Sequence, residues 1–200
     1  MPTLLPCLRA RRRLLPFWPD ARAGGQVHDN WRLRDGVTVR LRPARPQDAG
    51  LIQAMIRRLS MESRYHRFFY PLHELPPELL ARFTQAEPTR AMNLIATVIE
   101  DGREVAIGMA QYVADGYPQH ADFAVVVSDE RQRNGIATRM IRALIRVARG
   151  AGIEKIQGDV LAENEPMRAL MMGMGFRLER HPEDVLLRKA WKQLAPAGLA

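Results

Sequence analysis

The clearest chemical signal is a short polar loop between an apolar run and a helical pattern, Gln132-Arg133-Asn134-Gly135-Ile136-Ala137. Gly135 stands where the loop meets the helix, and backbone N–H groups at such a junction lack partners and lie at the positive end of the helix dipole. Glycine lets a ligand approach the backbone closely, and Ala137 is small for the same reason. The pattern predicts either an anion site suited to a pyrophosphate or a plain strand-to-helix turn with a capping glycine.

Two familiar nucleotide-binding patterns do not describe this loop. A P-loop would continue into Gly-Lys-Ser/Thr, and a dinucleotide-binding loop would read Gly-x-Gly-x-x-Gly. Neither pattern occurs in this sequence. The residues alone therefore predict an anion site of unspecified kind.

The elements that must position the loop follow from hydrophobic spacing. Alternating or continuous apolar runs predict strands at 37–41, 93–99, 104–113, 123–127, 155–161, 176–180 and 185–191. Apolar stripes at helical spacing predict helical regions at 46–59, 62–70, 77–84 and 135–149, and a short helix that Asn164 caps and Gly175 ends. The expected fold is α/β, with a mixed, mostly antiparallel sheet of six to seven strands flanked by about four helices.

Composition limits the class of protein further. The 200 residues are 46% hydrophobic and 26% charged, and the net charge is +8. A single cysteine, Cys7, excludes an intrachain disulfide, and no apolar run approaches the length of about 20 residues that spans a membrane. We expect a basic, disordered extension at 1–36, one domain at 37–194 and a short tail at 195–200. Nucleic acid is not an expected partner, because basic and aromatic residues interleave only at 64–70.

Two motifs carry a resemblance to a known family. The loop from Gln132 to Ala137 resembles the Gln/Arg-x-x-Gly-x-Gly/Ala motif of GNAT N-acetyltransferases, and Asn164 lies eleven residues before Gly175-Phe176, similar to the Asn-x10-Gly-Phe pattern of that family. The order of the elements from 37 to 194 also resembles GNAT proteins. Three stretches, at 59–68, 121–127 and 160–167, look like the acetyltransferase domain of bacterial Pat-type protein lysine acetyltransferases.

The resemblance implies a binding mode for acetyl-CoA. The GNAT sheet is splayed between its fourth and fifth strands, and the cosubstrate lies in that fork. Backbone groups of Val125, Val126 and Val127 would pair with the pantetheine arm, and the N–H of Val125 would polarise the thioester carbonyl. Asn164 would hydrogen-bond the pantetheine, and no metal is expected. The pyrophosphate would be held by the segment Arg133, Asn134, Gly135, Ile136, Ala137 and Thr138.

The general base is a choice among carboxylates. A lysine-type amine has a reference pKa of about 10.4, so its ammonium form must lose a proton to a side chain or a water before it attacks. Asp122 matches the position where Pat-type enzymes carry a glutamate, and Asp159 matches the position where some other GNAT enzymes place their base. Glu62 is a third candidate, and each carboxylate could instead be structural. Met171 occupies the position where many GNAT enzymes carry a tyrosine that protonates the leaving thiolate.

These observations predict an enzyme that transfers acetyl from acetyl-CoA to an amine. The acceptor is either a protein lysine or a small-molecule amine, and segment 61–75 is expected to line its side of the site. The alternative is an acetyl-CoA-binding sensor with little catalysis. We expect a cytoplasmic monomer or homodimer that does not contact membranes.

Overall fold

The computed structural model describes residues 28–85, 90–115, 117 and 119–194. Most of the predicted N-terminal extension and the predicted tail at 195–200 lie outside the described residues. The boundary predicted at residue 37 is wrong, because a strand already begins at Asp29.

Eight strands form one sheet in the order β1-β2-β3-β4-β5-β6-β8-β7. Neighbouring strands are antiparallel except β5 and β6, which are parallel. The strands are β1 Asp29–Arg32, β2 Thr38–Pro43, β3 Ala91–Glu100, β4 Arg103–Ala114, β5 His120–Val127, β6 Lys155–Leu161, β7 Arg177–Arg180 and β8 Leu187–Gln193. The predicted mixed, mostly antiparallel sheet is confirmed, with one strand more than the upper number expected.

Five α-helices flank the sheet, where about four were expected. They are α1 Ala49–Arg58, α2 Met61–Phe68, α3 Pro77–Thr84, α4 Ile136–Gly150 and α5 Glu165–Gly173. Local chemistry sets their starts, since the Ser60 hydroxyl accepts the Ser63 N–H at α2 and the Asn164 side chain accepts the Met167 N–H at α5. Short 3-10 turns at Pro46–Asp48 and Asp129–Arg131 complete the layers.

The unpredicted strand is β1, whose sequence Asp-Asn-Trp-Arg shows no alternation. Its one buried side chain, Trp31, lies opposite Val39 in the register with β2. The Arg139 guanidinium of α4 stacks on the Trp31 ring at 5.0 Å. Tertiary contacts rather than a strand-like sequence therefore hold β1, which is why hydrophobic spacing did not reveal it.

Two apolar layers cover the two faces of the sheet. Residues of α4 and α5 pack with Val125 and Val127 of β5 on one face. Residues of α1, α2 and α3 pack with Val126 on the other face. Because β5 is buried on both faces, its continuous apolar sequence is explained by its central position.

The sheet divides at its parallel pair. Strands β5 and β6 pair over three positions, ending at Asp122 opposite Gln157. The rest of β5, from Phe123 to Val127, keeps its pairing with β4 alone among the described strands. This fork confirms the predicted splay, which falls between β5 and β6 once β1 is counted.

Candidate active site

The fork opens into a cleft of about 900 Å³. Its walls come from β5, β6, α2 and the N-terminal ends of α4 and α5. Almost all of the predicted site residues meet here: Asp122, Val125, Val126, Val127, Arg133, Gly135, Ile136, Ala137, Thr138, Asp159 and Asn164 line it. The motifs that lie far apart in sequence thus form one site.

Asn134 is the exception among the predicted residues. Its side-chain amide donates to the carbonyl oxygens of Arg131 at 3.3 Å and Gln132 at 3.1 Å. The side chain therefore braces its own loop instead of lining the cleft, as short polar side chains often do in turns.

The backbone of the 132–138 segment is shaped for an anion. Gly135, the N-cap of α4, has a φ of +74°, and no atom lies within 4 Å of the place a Cβ would occupy. Glycine is therefore favoured by the left-handed backbone and by an open approach, not by crowding. The Arg139 N–H donates to the Gly135 carbonyl at 3.1 Å, so the amides of Ile136, Ala137 and Thr138 precede the first intrahelical bond. These amides form a cradle of the kind that can receive an anion.

The three valines of β5 differ in where their backbone groups point. The Ser128 N–H donates across to the Ile107 carbonyl of β4 at 2.9 Å. Because backbone direction alternates along a strand, the Val126 groups also point to β4, whereas those of Val125 and Val127 point into the fork. The prediction that all three backbones face a ligand is therefore wrong for Val126, which lines the cleft without offering its amide.

A carboxylate that sequence reasoning missed ties the loop to α2. Asp129 accepts the Ser60 N–H at 2.8 Å, the Ser60 hydroxyl at 2.8 Å and the Ser63 hydroxyl at 2.7 Å. Burial opposes ionisation, but these hydrogen bonds outweigh it and hold the pKa of Asp129 below its ordinary value. Gln132 adds a second tie, donating to the Ser63 hydroxyl at 3.0 Å and the Val127 carbonyl at 3.2 Å. No local sequence pattern signals these contacts across almost 70 positions.

Asp122 lies at the vertex of the fork and is partly buried. Burial is the main cause that raises the pKa of its carboxyl to about 6. The Lys189 ammonium opposes this rise in the pKa, whereas the Asp115 and Asp159 carboxylates add to it. A carboxyl with this pKa can exchange a proton near neutral pH, which suits a general base.

Asp159, the second candidate base, is already paired. Its side chain is only 5% exposed, and its Oδ1 accepts the Lys189 ammonium at 3.0 Å. The His181 Nε2 lies 3.7 Å from the same oxygen. Of the two aspartates, Asp122 is therefore the one less committed to a structural ion pair.

Helix α2 supplies the wall opposite the fork. The Glu62 side chain, the third candidate, is 80% exposed and lies 4.0 Å from the His66 Nε2. Tyr65 and Phe69 also line the cleft, while Leu75 at the end of the predicted 61–75 segment is buried in the core. The first half of that segment therefore borders the cleft.

The α5 side of the cleft includes Asn164 and Met171. Asn164 accepts the Met167 N–H at 3.1 Å and so caps α5. Met171 is fully buried where many GNAT enzymes place a tyrosine.

Within the described ranges, no group of His, Cys, Asp and Glu side chains is arranged to hold a metal ion. The described helices include none long and apolar enough to cross a membrane.

Comparisons with known proteins agree with this geometry. Residues 55–176 match the family model described as the acetyltransferase (GNAT) family. The acetyltransferase PA5475 of Pseudomonas aeruginosa is 33% identical over 158 residues, which cover 78% of this chain and 85% of that protein.

Solved structures give the same result. The GNAT domain of S. lividans PAT is 30% identical with a TM-score of 0.75, covering 84% of this chain and 97% of that one. At 17% identity, yncA of Salmonella typhimurium shares the fold with a TM-score of 0.62, covering 80% of this chain and 96% of that one. The structure of yncA contains acetyl-CoA.

Proposed function

Because this chain belongs to the GNAT acetyltransferase family, and its members transfer acetyl from acetyl-CoA, we propose that its acceptor is an amine and that Asp122 is the general base. The leading acceptor class is a protein lysine side chain. The observation on which the proposal chiefly depends is the position of Asp122, a carboxyl with a raised pKa at the vertex of a fork beside an anion cradle.

Three features support the way acetyl-CoA would be held. The amides from Ile136 to Thr138 would receive the pyrophosphate, with Gly135 leaving the approach open. The fork-facing backbone of Val125 and Val127 would pair with the pantetheine arm. Acetyl-CoA supplies a thioester carbonyl that an amine can attack and a thiolate that can leave. The Val125 N–H would donate to that carbonyl oxygen and favour the attack.

Asp122 would prepare the acceptor. With a pKa of about 6, its carboxylate form dominates above neutral pH, where it can take the proton of an incoming ammonium. An aspartate reaches one methylene less far than the glutamate of Pat-type enzymes, so we propose that an ordered water relays this proton. Met171 carries no acidic proton, so the leaving thiolate takes its proton from water.

The lysine acceptor is supported by the resemblance to Pat-type domains and by the 30% identity with the GNAT domain of S. lividans PAT. The α2 wall offers the aromatic rings of Tyr65 and Phe69, which suit the aliphatic stem of a lysine side chain. Acetyl-CoA is an intracellular metabolite, so the proposal places the enzyme in the cytoplasm.

The test measures acetyl-CoA binding by calorimetry and CoA release with a panel of amines, from small molecules to a lysine-rich protein. Gly135→Glu should abolish binding by blocking the cradle and adding a negative charge. Gly102→Glu is its matched control, because Gly102 also has a positive φ, of +75°, and open space at its Cβ position, but lies outside the cleft. Equal losses in the two variants would contradict the cradle.

Turnover decides the remaining choices. Release of CoA with the protein acceptor, lost in Asp122→Asn, is the expected result. Turnover confined to small amines would replace the lysine acceptor with a small-molecule one. Tight binding without turnover on any amine would favour the sensor function instead.

A further inference from the structure

The ammonium group beside the reaction centre belongs to one of the rarest residues of the chain. Only three of its 30 lysines and arginines are lysines, namely Lys155, Lys189 and Lys192. Lys155 lies over the Trp191 ring at 5.3 Å, and Lys192 donates to the Met174 carbonyl at 2.5 Å. Lys189 alone of the three contacts a residue of the cleft, through its 3.0 Å bond to Asp159.

Strand geometry places Lys189 on the same face as Asp122. Asp122 lies opposite Gln157 in the register of β5 and β6, and Asp159 lies opposite Lys189 in the register of β6 and β8. Residues opposite each other, and residues two apart on one strand, share a face of the sheet. These four side chains therefore form one polar row across three strands. A lysine on β8 that reaches back to β6 lies within Coulombic range of β5, since neighbouring strands are about 4.8 Å apart.

We infer that Lys189 is a positioning residue of the reaction: locked onto Asp159, its ammonium supplies the fixed positive charge that keeps Asp122 in its carboxylate form. Asp159 holds this charge in place and takes no part in proton transfer. The inference rests on the proposed function, in which the carboxylate of Asp122 accepts a proton.

The charged groups around Asp122 give Lys189 this role. Those on the same face of the sheet are Asp115 before β5, His120 on β5, Lys155 and Asp159 on β6, Lys189 on β8 and Glu179 on β7. Glu62, His66 and Arg67 lie on the α2 side of the cleft. Both nearby aspartates disfavour a second negative charge, whereas Lys189 and the Gln157 amide favour it. The Gln157 side chain itself donates to the Asp115 carboxylate at 3.2 Å. Without Lys189, three carboxyl groups would face one another around the vertex of the fork.

The surroundings of Asp159 fix the ion pair. Its side chain is 5% exposed, and that of Lys189 is 23% exposed. The His181 Nδ1 accepts the Glu183 N–H at 3.2 Å, and the His181 Nε2 lies 3.7 Å from the Asp159 Oδ1. Asp159 thus accepts a hydrogen bond from Lys189 on β8, while His181 at the end of β7 lies nearby, and this pairing restricts the movement of Lys189.

The decisive experiment follows the Asp122 carboxyl directly, by NMR titration of the protein labelled with carbon-13 at aspartate side chains. Asp122→Asn identifies its signal. In Lys189→Met, the Asp122 midpoint should rise from about 6 by roughly one pH unit. In Asp159→Asn it should fall, because one of the two carboxylates that repel the Asp122 charge is gone. Lys189→Arg should restore the wild-type midpoint.

The opposite directions separate this role from a structural one. An ion pair that merely joins β6 to β8 would lower the melting temperature alike in Lys189→Met and Asp159→Asn, and would leave the Asp122 midpoint unchanged. Lys189→Gln provides a second neutral variant if the methionine variant does not fold. An unchanged or lowered midpoint in a folded neutral variant would overturn the inference.

The rate profile connects the charge to catalysis. The acid limb of kcat/KM should move with the NMR midpoint in each variant. If Asp122→Asn keeps wild-type turnover, the proposed base fails and the catalytic role of Lys189 fails with it. If instead Asp122→Asn is inactive and the Asp122 titration midpoint is the same in the Lys189 variants as in wild type, Asp122 remains the proposed base. Only the role of Lys189 is then overturned.

Discussion

Replacing Asp122 with asparagine should make the protein inactive and, above neutral pH, more stable. The pKa of this carboxyl rises from 3.8 to about 6 on folding, mainly because the group is buried. An acid with a raised pKa holds its proton more tightly in the folded state than in the unfolded chain. The free energy of unfolding therefore falls as pH rises between these two values, and it stays lowered above them.

The size of the effect follows from the shift. The reference is acidic solution, where the carboxyl is protonated in both the folded and the unfolded state. Relative to that reference, the free energy of unfolding is lower by about 3 kcal/mol at about pH 8 and by about 1.6 kcal/mol at about pH 5, where chiefly the unfolded chain has lost the proton. Asparagine has nearly the same shape and carries no charge at either pH. Its advantage in unfolding free energy over wild type should therefore grow by about 1.4 kcal/mol between pH 5 and pH 8.

Urea unfolding followed by circular dichroism at the two pH values measures this difference, with CoA release assayed on the same samples. Asp101→Asn, in the exposed turn between β3 and β4, is the control and should show no such growth. A difference that stays constant between the two pH values, or an asparagine variant that is less stable at pH 8, would refute the burial of the Asp122 charge. Retained activity would refute its role as base.

Three further outcomes are expected. In Gly158→Ala, the new Cβ would lie 2.7 Å from the Phe123 carbonyl oxygen, so the two strands of the fork must move apart. Calorimetry should then show acetyl-CoA binding that is at least about tenfold weaker. Gly173→Ala is the control and should bind normally, because no atom would crowd its Cβ. Asp129→Ala should lower the free energy of unfolding in urea by about 1–3 kcal/mol at pH 7, because the hydrogen bonds that hold α2 are lost. This difference should shrink as the pH falls below 3.8, where the aspartate of the unfolded chain becomes protonated. In wild type, kcat/KM should fall below a midpoint at about pH 6 as Asp122 protonates; a profile flat between pH 5 and pH 8 would contradict this.

The parts of the fold that sequence could predict are those with local signals. The Gly135 junction, the Asn164 cap and the apolar strand at 123–127 each follow from side-chain type and spacing over a few residues, and each is found where expected. Strand β1 lacks such a signal, because one tryptophan packed against an arginine of α4 replaces an alternating pattern.

The candidate site shows the same limit. Sequence placed the loop, the fork-lining strand and both aspartates, but it could not rank those aspartates by environment. The partner that occupies Asp159 is Lys189, 30 residues later, and the contacts that tie Asp129 to α2 span more than 60 residues. Such pairs are created by the register of strands and the docking of helices, which no spacing rule over a short window contains.

The fork also changes what kind of strand β5 is. At Ala121 and Asp122 it is paired on both sides, and beyond Asp122 it is an edge strand in the interior of the sheet. Exposed edges invite other chains to add a strand and so promote aggregation. Here the edge lies in a cleft between α2 and the starts of α4 and α5. Under the proposed binding mode, a sheet interrupted at its centre would offer strand-like hydrogen bonding to the pantetheine arm, and the helices around the cleft would limit the access of other chains to the same edge.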